Sequence, residues 1–171
     1  STLPPSQRTR LAIMSFEIER RFLVCQDIGG LCRHGDRIIQ GYFSFDRQSR
    51  IRVRIRNDHA YLTIKGPRRG AVRSEFESDI PLAIAASMLS QLPRETLVEK
   101  VRYTVPYAGL MWEIDVFGGL NAGLVVAEVE LSHPEQEVVL PHWVGREITY
   151  DARYGNSRLS VEPISSWTQA A

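Results

Sequence analysis

The sequence predicts a mainly β (α+β) domain built from about eight antiparallel strands with a few flanking helices. Apolar and polar residues alternate with period two in segment after segment, as they do in strands with one apolar face. Short turn sequences separate these segments, and tight connections require antiparallel neighbours. Helical periodicity is scarce.

In chain order, the alternation predicts strands over 15–24, 37–45, 50–56, 60–66, 72–80, 97–107, 110–117 and 125–132. Asn57-Asp58, Gly66-Pro67, Ala108-Gly109 and Gly118-Gly119 supply the turns. A helix is expected after Asp79, because Pro81 suits a first turn and Leu82, Ala85, Ala86, Leu89 and Leu92 recur at helical spacing until Pro93. A second, shorter one is expected from Asp151 towards Leu159. Residues 1–13 are rich in Pro and Ser and are read as a leader or remnant outside the fold. The domain is expected over 14–163, followed by a loose tail over 164–171.

With 171 residues, 43% of them hydrophobic, the chain can bury one substantial core without disulfides. Lys and Arg number 21 against 20 Asp and Glu, a balance that argues against a surface built for nucleic acid or anionic membrane. Any charge that matters is therefore local. Cys25 and Cys32 fit neither a zinc knuckle nor a redox pair, which points to a reduced, cytoplasmic protein. No segment has the length and apolarity of a membrane span or of a secretory signal.

The polar faces carry the functional signal. Residues 50–56 place Arg50, Arg52, Arg54 and Arg56 opposite Ile51, Val53 and Ile55, since successive side chains alternate. Lys65 extends this set, as do Lys100 and Arg102 and, beside Glu75 and Glu77, Arg73. Glu17, Glu19 and Arg21 share one face of the first strand; Glu113 with Asp115, and Glu128 with Glu130, do the same on later ones. If the sheet closes, about eight strands leave an interior that holds side chains or one small ligand. The apolar sets would then face outward beneath helices. Like charges crowded in such an interior need neutralising, and a polyanion with divalent cations suits both signs. Several cations spread over several strands exceed what a monophosphate needs, so a triphosphate is the natural occupant.

The ordered motifs resemble the CYTH superfamily of triphosphate tunnel metalloenzymes. They run from Glu17-Ile18-Glu19-Arg20-Arg21 through Gln40-Gly41-Tyr42, Arg52-Val53-Arg54, Leu62-Thr63-Ile64-Lys65-Gly66, Arg73 with Glu75-Phe76-Glu77, and Glu99-Lys100-Val101-Arg102-Tyr103. Trp112-Glu113-Ile114-Asp115, Ala127-Glu128-Val129-Glu130 and Arg153-Tyr154 with Asn156 complete the set. The resemblance implies a closed antiparallel eight-stranded β-barrel tunnel with a charged interior. It also implies hydrolysis of a triphosphate, most simply inorganic tripolyphosphate, dependent on Mg²⁺ or Mn²⁺. Carried over by position, Arg21, Arg52, Arg54, Lys65, Arg73, Lys100 and Arg102, with Tyr42 and Arg153, would bind substrate. Arg21, Lys65 and Lys100 would be the catalytic cations. Glu17, Glu19, Asp115, Glu128 and Glu130 would hold metal, with Glu75, Glu77 and Glu113 in support. Arg21, a longer, planar cation that stays protonated, stands where the motif carries Lys.

The same resemblance leaves a class IV adenylyl cyclase, or a thiamine or nucleoside triphosphatase, as alternatives. A non-catalytic polyphosphate-binding protein is a further one. A nucleic-acid module is disfavoured, because carboxylates on the polar faces repel a phosphate backbone. The expected partner is a small-molecule triphosphate, with neither nucleic acid nor membrane; a homodimer stays open. His34, His59, His133 and His142 lack metal-ligand spacing. Gly66-Pro67-Arg68-Arg69-Gly70 lacks the spacing of a P-loop and is read as a basic turn that could flank a tunnel mouth. Trp112 and Trp143 are expected in the core.

Overall fold

The computed structural model describes residues 13–44, 49–70 and 72–168. Most of the leader expected over 1–13 lies outside these residues, as do the last three of the tail. The elements are β1 (Ile13–Val24), β2 (Gly35–Ser44), β3 (Arg50–Arg56), β4 (His59–Arg69), β5 (Val72–Ile80), α1 (Leu82–Leu89), β6 (Val98–Tyr107), β7 (Leu110–Phe117), β8 (Val125–Glu130), β9 (Val144–Glu147) and α2 (Asn156–Val161). The sheet runs β5-β4-β3-β2-β6-β7-β8-β1, and β1 pairs back onto β5. Every pairing is antiparallel, so eight strands close into a barrel. The short β9, which the sequence does not announce, adds to the far end of β1.

Tight hairpins set the register. Arg56 pairs with His59 across Asn57-Asp58, where Asn57 has a positive φ of 54°. Tyr107 pairs with Leu110 across Ala108 and Gly109, both of positive φ as a twist-matched two-residue hairpin requires. The expected turn at Gly66-Pro67 is absent. β4 continues to Arg69 through a register shift between Lys65 and Arg68.

Two apolar clusters cover the barrel from outside. Ala85 and Leu89 of α1 pack with Val53 and Ala60, against Ile39, Phe43, Ile55 and Leu62. A side chain at Gly41 would collide with Leu92 and Leu89, so glycine there lets the helix region lie close to β2. The second cluster, on β1, β7 and β8, joins Phe22, Trp112, Ile114, Ala127 and Val129 to Ile28, Leu131 and Trp143. The cover here comes from the irregular segments 25–34 and 131–143, not from helices as expected. Phe16, Ile64 and Phe76, on the outer faces of β1, β4 and β5, remain exposed.

A third cluster lies inside the barrel at one end. The inward rows change from charged to apolar there: Val98 precedes Lys100, Phe117 follows Asp115 and Val126 precedes Glu128. These residues pack against Ile148, Tyr154 and Leu159. The C-terminal segment thereby closes that end. Its continuation is docked, contrary to the loose tail expected: the Trp167 ring lies 5.1 Å from that of Tyr154, and its Nε1 donates to the Glu162 carbonyl at 3.1 Å.

Trp112 is fully buried with the Phe22 and Trp143 rings 5.7 and 5.6 Å away. Trp112→Ala is expected to cost about 3–5 kcal/mol, read as a lowered urea midpoint at constant m-value. A loss below about 1 kcal/mol would contradict this account of the outer core.

Candidate active site

The barrel interior is a charged cavity of about 220 Å³. Its walls are segregated by sign. Arg50, Arg52 and Arg54 of β3, Lys65 and Arg68 of β4, and Lys100 and Arg102 of β6 form a cationic side. Glu113 of β7, Glu128 and Glu130 of β8, and Glu17 and Glu19 of β1 form an acidic side, joined by Arg21. β5 contributes both signs, through Arg73, Glu75 and Glu77. Tyr42 is the one aromatic residue lining the cavity among the described residues.

At its floor, Asp115 has no exposed surface and holds two cations. Its Oδ2 accepts from Lys100 Nζ at 2.6 Å and from an Arg102 terminal nitrogen at 2.9 Å, and its Oδ1 accepts from Arg102 Nε at 2.7 Å. Burial alone would raise its pKa, but Lys100 and Arg102 outweigh burial and hold the carboxyl well below the ordinary range. Burial, with Arg102 and Arg54 nearby, pushes Lys100 down to about 7 despite Asp115. Arg54 falls to about 9 for the same reason, being buried beside Arg52 and Arg102. The C-terminal segment completes this network. Asn156 Oδ1 accepts from Lys100 Nζ at 2.9 Å and from Gln40 Nε2 at 3.1 Å, while Gln40 Oε1 accepts from Arg54 Nε at 2.8 Å.

Arg21 and Arg20 take opposite faces. Arg21 is 6% exposed; its guanidinium donates to Glu128 Oε1 at 3.2 Å and to the Tyr154 carbonyl at 3.1 Å. Arg20 points outward to Glu147, as close as 2.7 Å. Lys65 Nζ lies 2.8 Å from Glu17 and 3.2 Å from Glu75, and Arg102 is 2.6 Å from Glu113. Glu77 accepts from the Thr63 hydroxyl at 2.9 Å and stands 3.6 Å from Arg52.

Most predicted site residues converge here, and two do not. Asp115 does not line the cavity: both its oxygens accept from Lys100 and Arg102, so here it is their counter-ion. Arg153 lies outside, paired to Asp151 at 2.7 Å and stacked over the Tyr154 and Trp167 rings. Sequence reasoning did not select Arg50, Arg68 or the amides of Gln40 and Asn156. Arg50 was visible on the Arg row of β3. Gln40 and Asn156 stand in the motifs quoted above, but no local pattern shows that Asn156, on the distant α2, reaches Lys100.

The acidic wall lacks balance. Glu19 and Glu130 stand directly opposite on β1 and β8, and Glu113 and Glu128 on β7 and β8, arrangements that repel. Burial first, then Glu128 and Glu17, push Glu19 up to about 8. Glu130 is raised by burial and by Glu17, Glu113 and Glu75. Its carboxyl makes no hydrogen bond or ion pair among the described residues. Hard oxygen donors in this state suit Mg²⁺ or Mn²⁺. Among the described residues no three His, Cys, Asp or Glu are grouped to hold a metal unaided. Mg²⁺ commonly takes only one or two carboxylates and completes its shell with water and substrate phosphate. Such an ion in this cavity would meet one or two of Glu19, Glu128 and Glu130.

The CYTH domain model matches residues 15–163. The chain belongs to the CYTH family. An inorganic triphosphatase of Acetivibrio thermocellus is 41% identical over 158 residues, covering 91% of this chain and all of the relative. An inorganic triphosphatase of Nitrosomonas europaea is 34% identical, with 85% of this chain and 97% of that protein covered. The crystal structure of an inorganic triphosphatase, 32% identical, superposes with a TM-score of 0.63 over 85% of this chain and 94% of its own. A Pyrococcus horikoshii structure, 22% identical over 70% of this CYTH chain and 81% of its own, shares the fold with a TM-score of 0.53.

The strained carboxylates predict a pH dependence. A carboxyl whose folded pKa is raised favours the folded state below its unfolded value, near 4.5, and loses that advantage as pH rises through its folded value near 8. In chelator, Glu19→Gln should therefore stabilise the protein increasingly from pH 5 to pH 8, read by urea unfolding. A stability difference independent of pH would contradict the assignment.

Proposed function

We propose that this chain is an inorganic triphosphatase that hydrolyses tripolyphosphate in the presence of a divalent cation. The observation that carries this reading is the segregation of the cavity into a cationic wall and an acidic wall. A condensed phosphate lies along the first, where Arg52, Arg54, Lys65, Lys100 and Arg102 offer charge-assisted hydrogen bonds. The second, through carboxylates of Glu19, Glu128 and Glu130, would hold Mg²⁺ or Mn²⁺. When bound, the metal supplies charge neutralisation at the phosphate oxygens and a more acidic water.

The chain's own groups do the rest. Preorganised cations that need no reorientation stabilise charge on the transferring and leaving oxygens. Asp115, Asn156 and Gln40 fix Lys100, Arg102 and Arg54 in place before substrate arrives. Arg21 orients Glu128 and, with a guanidinium held protonated by Glu128 and Glu19 against its burial, contributes charge, not a proton. The small cavity with a single aromatic residue favours an inorganic chain over a nucleotide, whose base gains from stacking surfaces. The relatives named above as inorganic triphosphatases support the same substrate class.

Phosphate release from tripolyphosphate should require Mg²⁺ or Mn²⁺ and stop with chelator; undiminished release in excess chelator would remove the metal from the reading. Glu130→Gln should lower kcat/KM by at least an order of magnitude in folded protein, because it removes an unpaired donor at nearly constant shape. Pyrophosphate should be the poorer substrate. Cyclic AMP as the main product from ATP would transfer the site to cyclase chemistry, and retention of tripolyphosphate without turnover would make it a binding protein.

Arg21→Lys should retain substantial activity, and Arg21→Ala should lose about 2–4 kcal/mol of transition-state stabilisation. Arg20→Ala is the control on the opposite face. Equal damage to kcat/KM from both alanine variants would overturn the role given to Arg21.

A further inference from the structure

The register shift in β4 places a side chain in the cavity that strand alternation would have turned away. Lys65 stands opposite Glu75, whereas Arg68 stands opposite Arg73, so three steps on β4 match two on β5. A bulge of this kind re-aims the residues that follow it. Arg68 consequently lines the cavity while Arg69 is exposed and does not. Gly66 permits the bend, since a side chain there would collide with Ser74 Oγ. Its carbonyl accepts from Arg73 Nε at 2.8 Å and turns that guanidinium beside Arg68.

The two cations face each other on neighbouring strands without adequate compensation. One terminal nitrogen of Arg68 is buried with no hydrogen-bond partner, and the other is 3.9 Å from Glu19, beyond hydrogen-bond reach. Burial and the neighbouring Arg68 push Arg73 below the ordinary guanidinium range. Along β3 and β4 the inner cations run from Arg54, opposite Tyr61, to Arg50, opposite Lys65. That is about 13 Å of strand at ~3.3 Å per residue. Arg68 and Arg73 lie beyond it, at the end away from the C-terminal segment.

We propose that Arg68 and Arg73 form an outer phosphate subsite, which takes the fourth phosphoryl group of a linear condensed phosphate. This rests on the reading of the inner cavity as a triphosphate site, and it adds chain length as a determinant of specificity. A three-phosphate chain seated on the inner cations leaves the outer pair uncompensated; a longer chain reaches it and supplies acceptors to the orphaned nitrogen. The bulge at Gly66-Pro67 is thus what places Arg68 within reach of substrate.

The test compares tripolyphosphate with tetrapolyphosphate on the full chain with Mg²⁺. In wild type, Arg68→Ala, Arg68→Lys and Arg69→Ala, KM is measured for both substrates, or the dissociation constant by calorimetry if neither is turned over. Arg68→Ala should reduce the preference for the longer chain by about tenfold, the loss of one charge-assisted contact. Arg68→Lys should recover most of it, and Arg69→Ala should leave the ratio unmoved. Equal effects of Arg68→Ala on both lengths, or the same shift from Arg69→Ala, would overturn the subsite. Binding with this length dependence but no hydrolysis would remove the triphosphatase reading and keep the subsite. Failure to bind either chain would remove both.

Discussion

The buried carboxylate of Asp115 is the interaction on which the interior depends. A closed barrel with charged side chains inside must strip water from several cations, and desolvation disfavours each of them. Asp115 takes on two at once, with short contacts to Lys100 and Arg102 and no exposed surface of its own. Around that point the remaining polar atoms find partners in sequence: Lys100 to Asn156, Asn156 to Gln40, Gln40 to Arg54. Removing any one leaves a donor or acceptor stranded in a dry place. The C-terminal segment therefore seals one end and also supplies an acceptor that steadies the cationic wall.

Segregation of charge around the ring follows from strand order. The cationic strands β3, β4 and β6 lie on one side of the ring with β2 among them, and β7, β8 and β1 carry the carboxylates. Two walls of opposite sign face each other across a narrow space, bridged by Lys65–Glu17 and Arg102–Glu113. Such an interior is complementary to an anion together with a cation and poorly matched to either alone.

Much of this was legible because a strand's period of two is unforgiving. Once Ile51, Val53 and Ile55 are given to one face, Arg50, Arg52 and Arg54 have only the other, and the register confirms it strand by strand. What escaped was anything that breaks the period or comes from far away. Gly66-Pro67 reads as a turn because both residues favour turns, yet the strand absorbs them as a bulge. Val98, Phe117 and Val126 occupy inward positions on otherwise charged rows, and only the docked C-terminal segment explains why they are apolar. Arg153 fits a motif by position but finds Asp151 two residues away. Asp115 has the residue type of a metal ligand, and only the fold shows that it pairs with Lys100 and Arg102.

Closure through β1 also sets an order on folding. β1 is synthesised early, yet one of its edges waits for β5 and the other for β8, and Arg21 and Glu128 are 107 positions apart. No ring exists until the chain has grown past Glu130, and until then β1 and β7 each present an open edge that another chain could pair with. Contacts of such long range are slow to form, since the entropy of closing a large loop is met before the pairing can offset it. A chain cut short before β8 is therefore not a smaller barrel. It is an open sheet with mismatched charges on one face and exposed apolar side chains on the other.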